Sequence, residues 1–243
     1  MSRARVQSGF TLVELTIAVA FLAILLMAIL SLTLAAGKLY VKGDTNKTIN
    51  QAARDFGDVV RRDFLAAGVG LVSPEILLDV GTPTEPLASG RICLGTVTYL
   101  WNTAGVLNSE EAIASTVRVT MESTGDPIKF VRIVRPQQTY CDKNPVTDRY
   151  PMTIPASETA TEMFTGTGRD YALHAMRITP VSEQGDRALY RVAYTLGTNE
   201  PGTTEMDEGG FIRCKTNNDV AANFDYCSVS DFDMMVRIGG TQE

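Results

Sequence analysis

The chain has 243 residues, a formal net charge of −6, four cysteines and a single histidine, with 44% of its residues hydrophobic. An acidic balance argues against general nucleic-acid binding, because affinity for phosphate comes mainly from clustered Lys and Arg. Catalysis and zinc binding find no support either: there is no Gly-x-Ser-x-Gly elbow, Gly166-Thr167-Gly168 lacks a dinucleotide loop's third glycine, and no Cys-x-x-Cys pair occurs.

Residues 1–9 form a short leader carrying Arg3 and Arg5. The next 27 residues, Phe10 to Ala36, hold one charge, Glu14. As a helix they reach about 40 Å at ~1.5 Å per residue, enough to cross a hydrocarbon core about 30 Å thick. The alternative is a signal peptide removed near Ala36, at Thr33-Leu34-Ala35 or Leu34-Ala35-Ala36. With the arginines ahead of the span, the positive-inside rule keeps the N-terminus in the cytoplasm and exports the remainder. A carboxylate in an apolar span costs about 2.5–3.5 kcal/mol near the bilayer centre. The helix dipole returns only about 0.3–1 kcal/mol. A cut between Gly9 and Phe10 places a new amine one turn from Glu14, within one chain or between neighbours.

Residues 37–70 read as the amphipathic continuation of the same helix. Ile49, Ala52, Ala53, Phe56, Val59, Val60, Phe64 and Ala67 make one apolar stripe, with Arg54, Asp55, Asp58, Arg61 and Arg62 around it. Gly43 is the weak point, since glycine costs a helix about 1 kcal/mol relative to alanine. Gly68 and Gly70 are the expected stop.

Residues 71–243 change texture to short apolar runs between Gly, Pro, Asn, Asp and Thr clusters. Strands are expected at Ile92 to Leu100, Thr116 to Met121, Lys129 to Val134, Ala172 to Ile178, Ala188 to Leu196 and Asp233 to Ile238. They predict one exported α+β domain, in which a long N-terminal helix covers a face of an antiparallel β-sheet. His174 sits in an alternating run and reads as a satisfied sheet residue. Arg132 and Arg135 read as an exposed face. Cys93, Cys141, Cys214 and Cys227 all follow the span, so two disulfides in an oxidising compartment are expected, with three pairings possible. Glu200, Glu205, Asp207 and Glu208, and Asp231 with Asp233, read as solvated acidic loops; calcium is their alternative ligand.

The run Gly9-Phe10-Thr11-Leu12-Val13-Glu14-Leu15 after a basic leader resembles the class III signal of type IV pilins and type II secretion pseudopilins. The resemblance implies that a prepilin peptidase cuts after Gly9 and that Phe10 is N-methylated. It also implies that Glu14 meets the amine of an adjacent subunit. Arg62-Asp63-Phe64-Leu65-Ala66-Ala67-Gly68-Val69-Gly70 resembles the close of the long helix in PilW-type minor pilins. J-type secretion pseudopilins, next in likeness, share the Arg-Asp end but not usually the Ala-Gly-x-Gly close. The chain departs from many major pilins in having Ser31 where a kinking proline stands and no proline before Pro74, which implies a straighter stem.

The family's habit of stapling a short C-terminal loop favours Cys214 with Cys227, leaving Cys93 with Cys141. The implied partners are other major and minor pilins, the prepilin peptidase and an inner-membrane assembly platform. The implied location is a single pass of the bacterial inner membrane with a periplasmic head, then the filament tip. A pilus-mounted adhesin using loops near Trp101 or Tyr150 is the alternative from another class. Leader removal takes Arg3 and Arg5 and lowers the formal charge from −6 to −8.

Overall fold

A computed structural model describes residues 11–68, 72–78, 88–110, 112–164, 170–181, 189–207, 211–215 and 227–239. Its N-terminal element, α1 (Leu12–Ala66), is one unbroken α-helix of 55 residues, about 82 Å long. No proline interrupts it, and its helical structure continues through Gly43, the weak point of the sequence, without local melting. It ends just before the expected glycine stop: Ala67 is extended (ψ 141°), and its N–H caps the carbonyls of Asp63 and Phe64. Gly70 lies outside the described residues.

Behind the helix come β1 (Val72–Leu78), β2 (Ala88–Leu94), β3 (Val97–Asn102), the short helices α2 (Ala104–Asn108) and α3 (Ala112–Val117), and β4 (Thr120–Met121). Then follow β5 (Phe130–Val134), β6 (Thr153–Ile154), β7 (Ala160–Glu162), β8 (Tyr171–Pro180), β9 (Leu189–Thr198), β10 (Thr204–Met206), β11 (Ile212–Cys214) and β12 (Val229–Arg237). The α+β architecture is thus a long helix packed on antiparallel sheets. One sheet has the order β1-β2-β3-β5-β7 and a second has β12-β9-β8. Two small ribbons, antiparallel β10-β11 and parallel β4-β6, complete the described strands.

Two strand expectations need correction. The run Ile92 to Leu100 is two strands, because Gly95 takes φ 77°, a conformation that favours glycine, and turns the chain back at Gly95-Thr96 so that Cys93 pairs with Thr98. The segment Thr116 to Met121 begins as the end of α3, and only Thr120 and Met121 are strand. Its alternation of Val117, Val119 and Met121 mimics a half-buried strand, while only Val119 is fully buried.

The docked half of α1 lies across both larger sheets. Phe56 touches Phe130 of β5 edge-on (4.8 Å between centroids) and Tyr194 of β9 (4.9 Å), joining the two sheets through one ring. In β3 the side chains alternate: Val97, Tyr99 and Trp101 join the core with the helix, while Leu100 faces a second core with Val131, Ile133, Tyr140 and Ile154. The five-stranded sheet is therefore covered on both faces, not only by the stem. Gly90 makes room for the stacked Trp101, since a Cβ there would come within 2.1 Å of the indole. The second cover, residues 119–128 and 140–154, is fastened by the Cys93–Cys141 disulfide and by the buried Arg91, which donates to the carbonyls of Tyr140 (2.7 Å) and Pro151 (3.1 Å).

Candidate assembly surface

Every residue from Thr11 to Tyr40 is exposed. Leu12, Val13, Leu15, Ile17, Val19, Phe21, Leu22, Ile24 and Leu25 each show more than half their surface, and the same holds onward through Leu39. A soluble helix shows one apolar stripe, whereas one that is apolar on all sides requires lipid or other helices around it. It is the one helix among the described residues long and apolar enough to cross a membrane. The polar side chains along it are satisfied internally: Thr16 donates to the Val13 carbonyl (2.9 Å), Ser31 to Ala28 (2.9 Å) and Thr33 to Ile29 (2.8 Å). Such back-bonding removes the cost of bare hydroxyls in hydrocarbon.

Glu14 is held by the residue that starts the helix. Its carboxylate accepts from the Thr11 N–H (2.9 Å) and the Thr11 hydroxyl (2.9 Å), while the Glu14 N–H donates to Thr11 Oγ1 at 3.3 Å. This is a capping box, two reciprocal contacts that end the helix at Thr11. Hydrogen bonds to a charged group are worth about 1.5–3 kcal/mol, comparable to the insertion cost of the carboxylate. Gly9 and Phe10 lie outside the described residues. The Thr-x-x-Glu pattern ahead of an apolar run is the signal that makes Thr11 legible in sequence.

The other end of the stem is fixed by polar contacts of a different kind. Asp63, 7% exposed, accepts from Arg132 Nε at 2.7 Å and from Arg132 Nη2 at 2.8 Å, and also from the Tyr99 hydroxyl. Burial, then the hydrogen bond to Asp63, pushes the Tyr99 hydroxyl well above its ordinary range; the hydrogen bond to Asp63 likewise raises Arg132. Arg132 is therefore a docking partner of the stem and not an exposed strand residue, a correction that no local pattern foretells. Midway, the buried Tyr194 hydroxyl donates to the Ala53 carbonyl at 2.8 Å. Near the point where the stem leaves its apolar half, the Ser228 hydroxyl donates to Asn46 Oδ1.

Comparison with protein-family models, with curated proteins and with solved structures returned no match.

The four cysteines form Cys93–Cys141 (Cα–Cα 6.1 Å) and Cys214–Cys227 (5.8 Å). Trp101 is 1% exposed inside the core, which removes it from any loop available to a ligand. Tyr150 lies half-buried under the Arg91 guanidinium, 4.6 Å from its ring centre. In the acidic segments Asp207 pairs with Arg213 (2.7 Å), Asp233 with Arg191, and Asp231 accepts from Thr195 (2.5 Å). Glu208 lies outside the described residues. Among the described residues no group of three or more His, Cys, Asp or Glu is placed to hold a metal ion. His174 is buried at an irregularity of β8, with Nε2 3.1 Å from the Thr198 carbonyl. Burial lowers its pKa to about 4.

Proposed function

We propose that the chain is a minor pilin, a low-copy structural subunit of a type IV pilus, matured by prepilin peptidase cleavage between Gly9 and Phe10. The observation that carries this reading is the rod from Leu12 to Leu39, apolar on all sides with Glu14 as its one carboxylate, continuous with a helix half already buried in a head. A rod of this kind is stable in lipid and equally in a bundle of similar rods, because apolar neighbours replace acyl chains at little cost. Glu14 is what differs between the two settings. In the isolated chain Thr11 satisfies it; in a bundle the amine of a neighbour's first residue offers a full opposite charge, which favours one axial alignment of stems. A large head with long loops suits a subunit present once or a few times, at a filament tip, better than the repeated subunit of a slim fibre.

Intact-mass measurement on protein from its native host tests the maturation: loss of the nine leader residues and gain of one methyl group is expected. Glu14→Ala should leave membrane insertion intact and lower recovery with filaments at least tenfold. A chain that retains Met1, or one trimmed near Ala36, overturns the reading. A J-type pseudopilin shares the stem physics and the Arg62-Asp63 helix end, and the filament that co-purifies with the tagged chain separates the two.

A further inference from the structure

The apolar contacts of the docked stem repeat along it: Ile49, Ala53, Phe56, Val60 and Phe64 return at three- and four-residue steps, all buried. Apolar burial is non-directional, so a slide of the helix by one turn, about 5.4 Å, replaces each contact with the next of similar kind. Polar contacts do not exchange in this way. A slide by one turn takes the Asp63 carboxylate away from Arg132 and Tyr99 and sets Val60 or Ala67 against a guanidinium that has lost its acid. Three polar contacts agree on a single alignment: Asn46 with Ser228, Ala53 with Tyr194, and Asp63 with Arg132 and Tyr99. The last is the only one of the three that joins full charges, and it binds both carboxylate oxygens.

We propose that Asp63, Arg132 and Tyr99 set the axial register of the stem against the head and are thereby positioning residues for incorporation into a filament. The part concerning incorporation rests on the function proposed above; the register itself does not. Glu14 and Asp63 lie 49 residues apart on one unbroken helix, a spacing of about 74 Å. Glu14 aligns stem with stem and Asp63 aligns stem with head, so the height of the head above its neighbours follows from two polar contacts and a rigid rod between them.

The register is read directly on the full chain in detergent micelles, with spin labels on the exposed positions of R54C and R177C and the label-to-label distance measured by pulsed electron paramagnetic resonance. All four native cysteines are in disulfides, so labels attach only at the introduced sites. The parent chain should give one distance. Asp63→Asn should add a second population at a distance distinct from the parent's, the slide of one turn moving the helix label by about 5.4 Å along the axis, and the charge exchange D63R/R132D should restore a single distance. Tyr99→Phe leaves the ion pair in place and should broaden the distance without adding a population. If Asp63→Asn does not fold, Arg132→Gln carries the same test with the same expected second population. A single unshifted distance in the folded Asp63→Asn or Arg132→Gln chain overturns the proposal and reduces the cluster to a stabilising contact. In the native host, Asp63→Asn should be matured normally yet recovered with filaments at least tenfold less; recovery at the parent level overturns the positioning role. Failure of the pilin reading shows separately, as an uncut leader or an Glu14→Ala chain that still assembles, and leaves the distance measurement standing.

Discussion

One helix carries two surfaces, and their difference separates the chain's destination from its fold. Between Leu12 and Leu39 apolar side chains cover every side of α1 and all of them are exposed. Between Thr45 and Phe64 the apolar residues draw into one stripe that closes the core, and polar groups appear inside that stripe: Thr45 and Asp63 are buried along with Phe56 and Val60. The first half needs surroundings the chain does not supply. The second half finds all of its own surroundings in the head. Apolar residues occur in both, but the first half carries them on every side and the second confines them to one stripe among charged residues, so a 3.6-residue period marks the docked half and an unbroken apolar run the lipid- or bundle-facing one.

The contrast is broken most severely at Phe56. Phe56→Ala removes the ring that joins the two sheets and should destabilise the head by about 3–5 kcal/mol, whereas Phe21→Ala on the apolar half should leave the thermal midpoint of the head unchanged. An equal fall in both variants would show that the two halves unfold together. The disulfides come next. In the chain-entropy picture, opening Cys93–Cys141, with a separation of 48, should cost about 4 kcal/mol, and opening Cys214–Cys227, with a separation of 13, about 3 kcal/mol. Paired Cys→Ser variants in denaturant titration measure both.

His174 sharpens the comparison by pH, because it acts on the head alone. The unfolded chain binds a proton at this imidazole below its ordinary pKa of 6.5, while burial, against the opposing hydrogen bond to Thr198, holds the folded value at about 4. The folded state then binds fewer protons between those values, so stability is full above pH 6.5 and falls as pH drops toward 4, by about 3 kcal/mol in total. His174→Gln should flatten that limb relative to the parent chain in thermal melts between pH 7 and 4; parallel curves would remove the histidine from the acid response. Smaller still is Tyr194→Phe, which loses one donation to the Ala53 carbonyl and should cost about 1 kcal/mol. Gly43→Ala is the one change expected to stabilise: nothing lies within 4 Å of a Cβ there, and helix content should rise by the equivalent of about 1 kcal/mol.

Legibility followed the range of the interactions. The stem was readable because its signals are local: an uncharged run, and an apolar stripe at three- and four-residue steps; the Thr-x-x-Glu start is equally local but entered only with the structure. The strands Phe130–Val134, Tyr171–Pro180 and Val229–Arg237 were found in outline from short apolar runs, with ends missed by a few residues. The hairpin at Gly95-Thr96 was hidden because Ile92 to Leu100 is apolar on both sides of the turn, as a strand buried on both faces must be. Arg132 was misread for the opposite reason. Nothing nearby in sequence distinguishes an arginine pointing to solvent from one that meets an aspartate 69 residues away.

What the sequence determined alone is the division of labour along α1: a rod apolar on all sides, one acid near its start, and an amphipathic continuation that must close a core. These follow from composition and period, which any chain carries before it folds. The tertiary structure decided where along its length the rod is gripped, which faces of the five-stranded sheet are covered, and that Trp101 serves the interior. Those outcomes depend on contacts between residues far apart in the chain, whose partners become neighbours only when loop closure, burial and charge pairing are satisfied together.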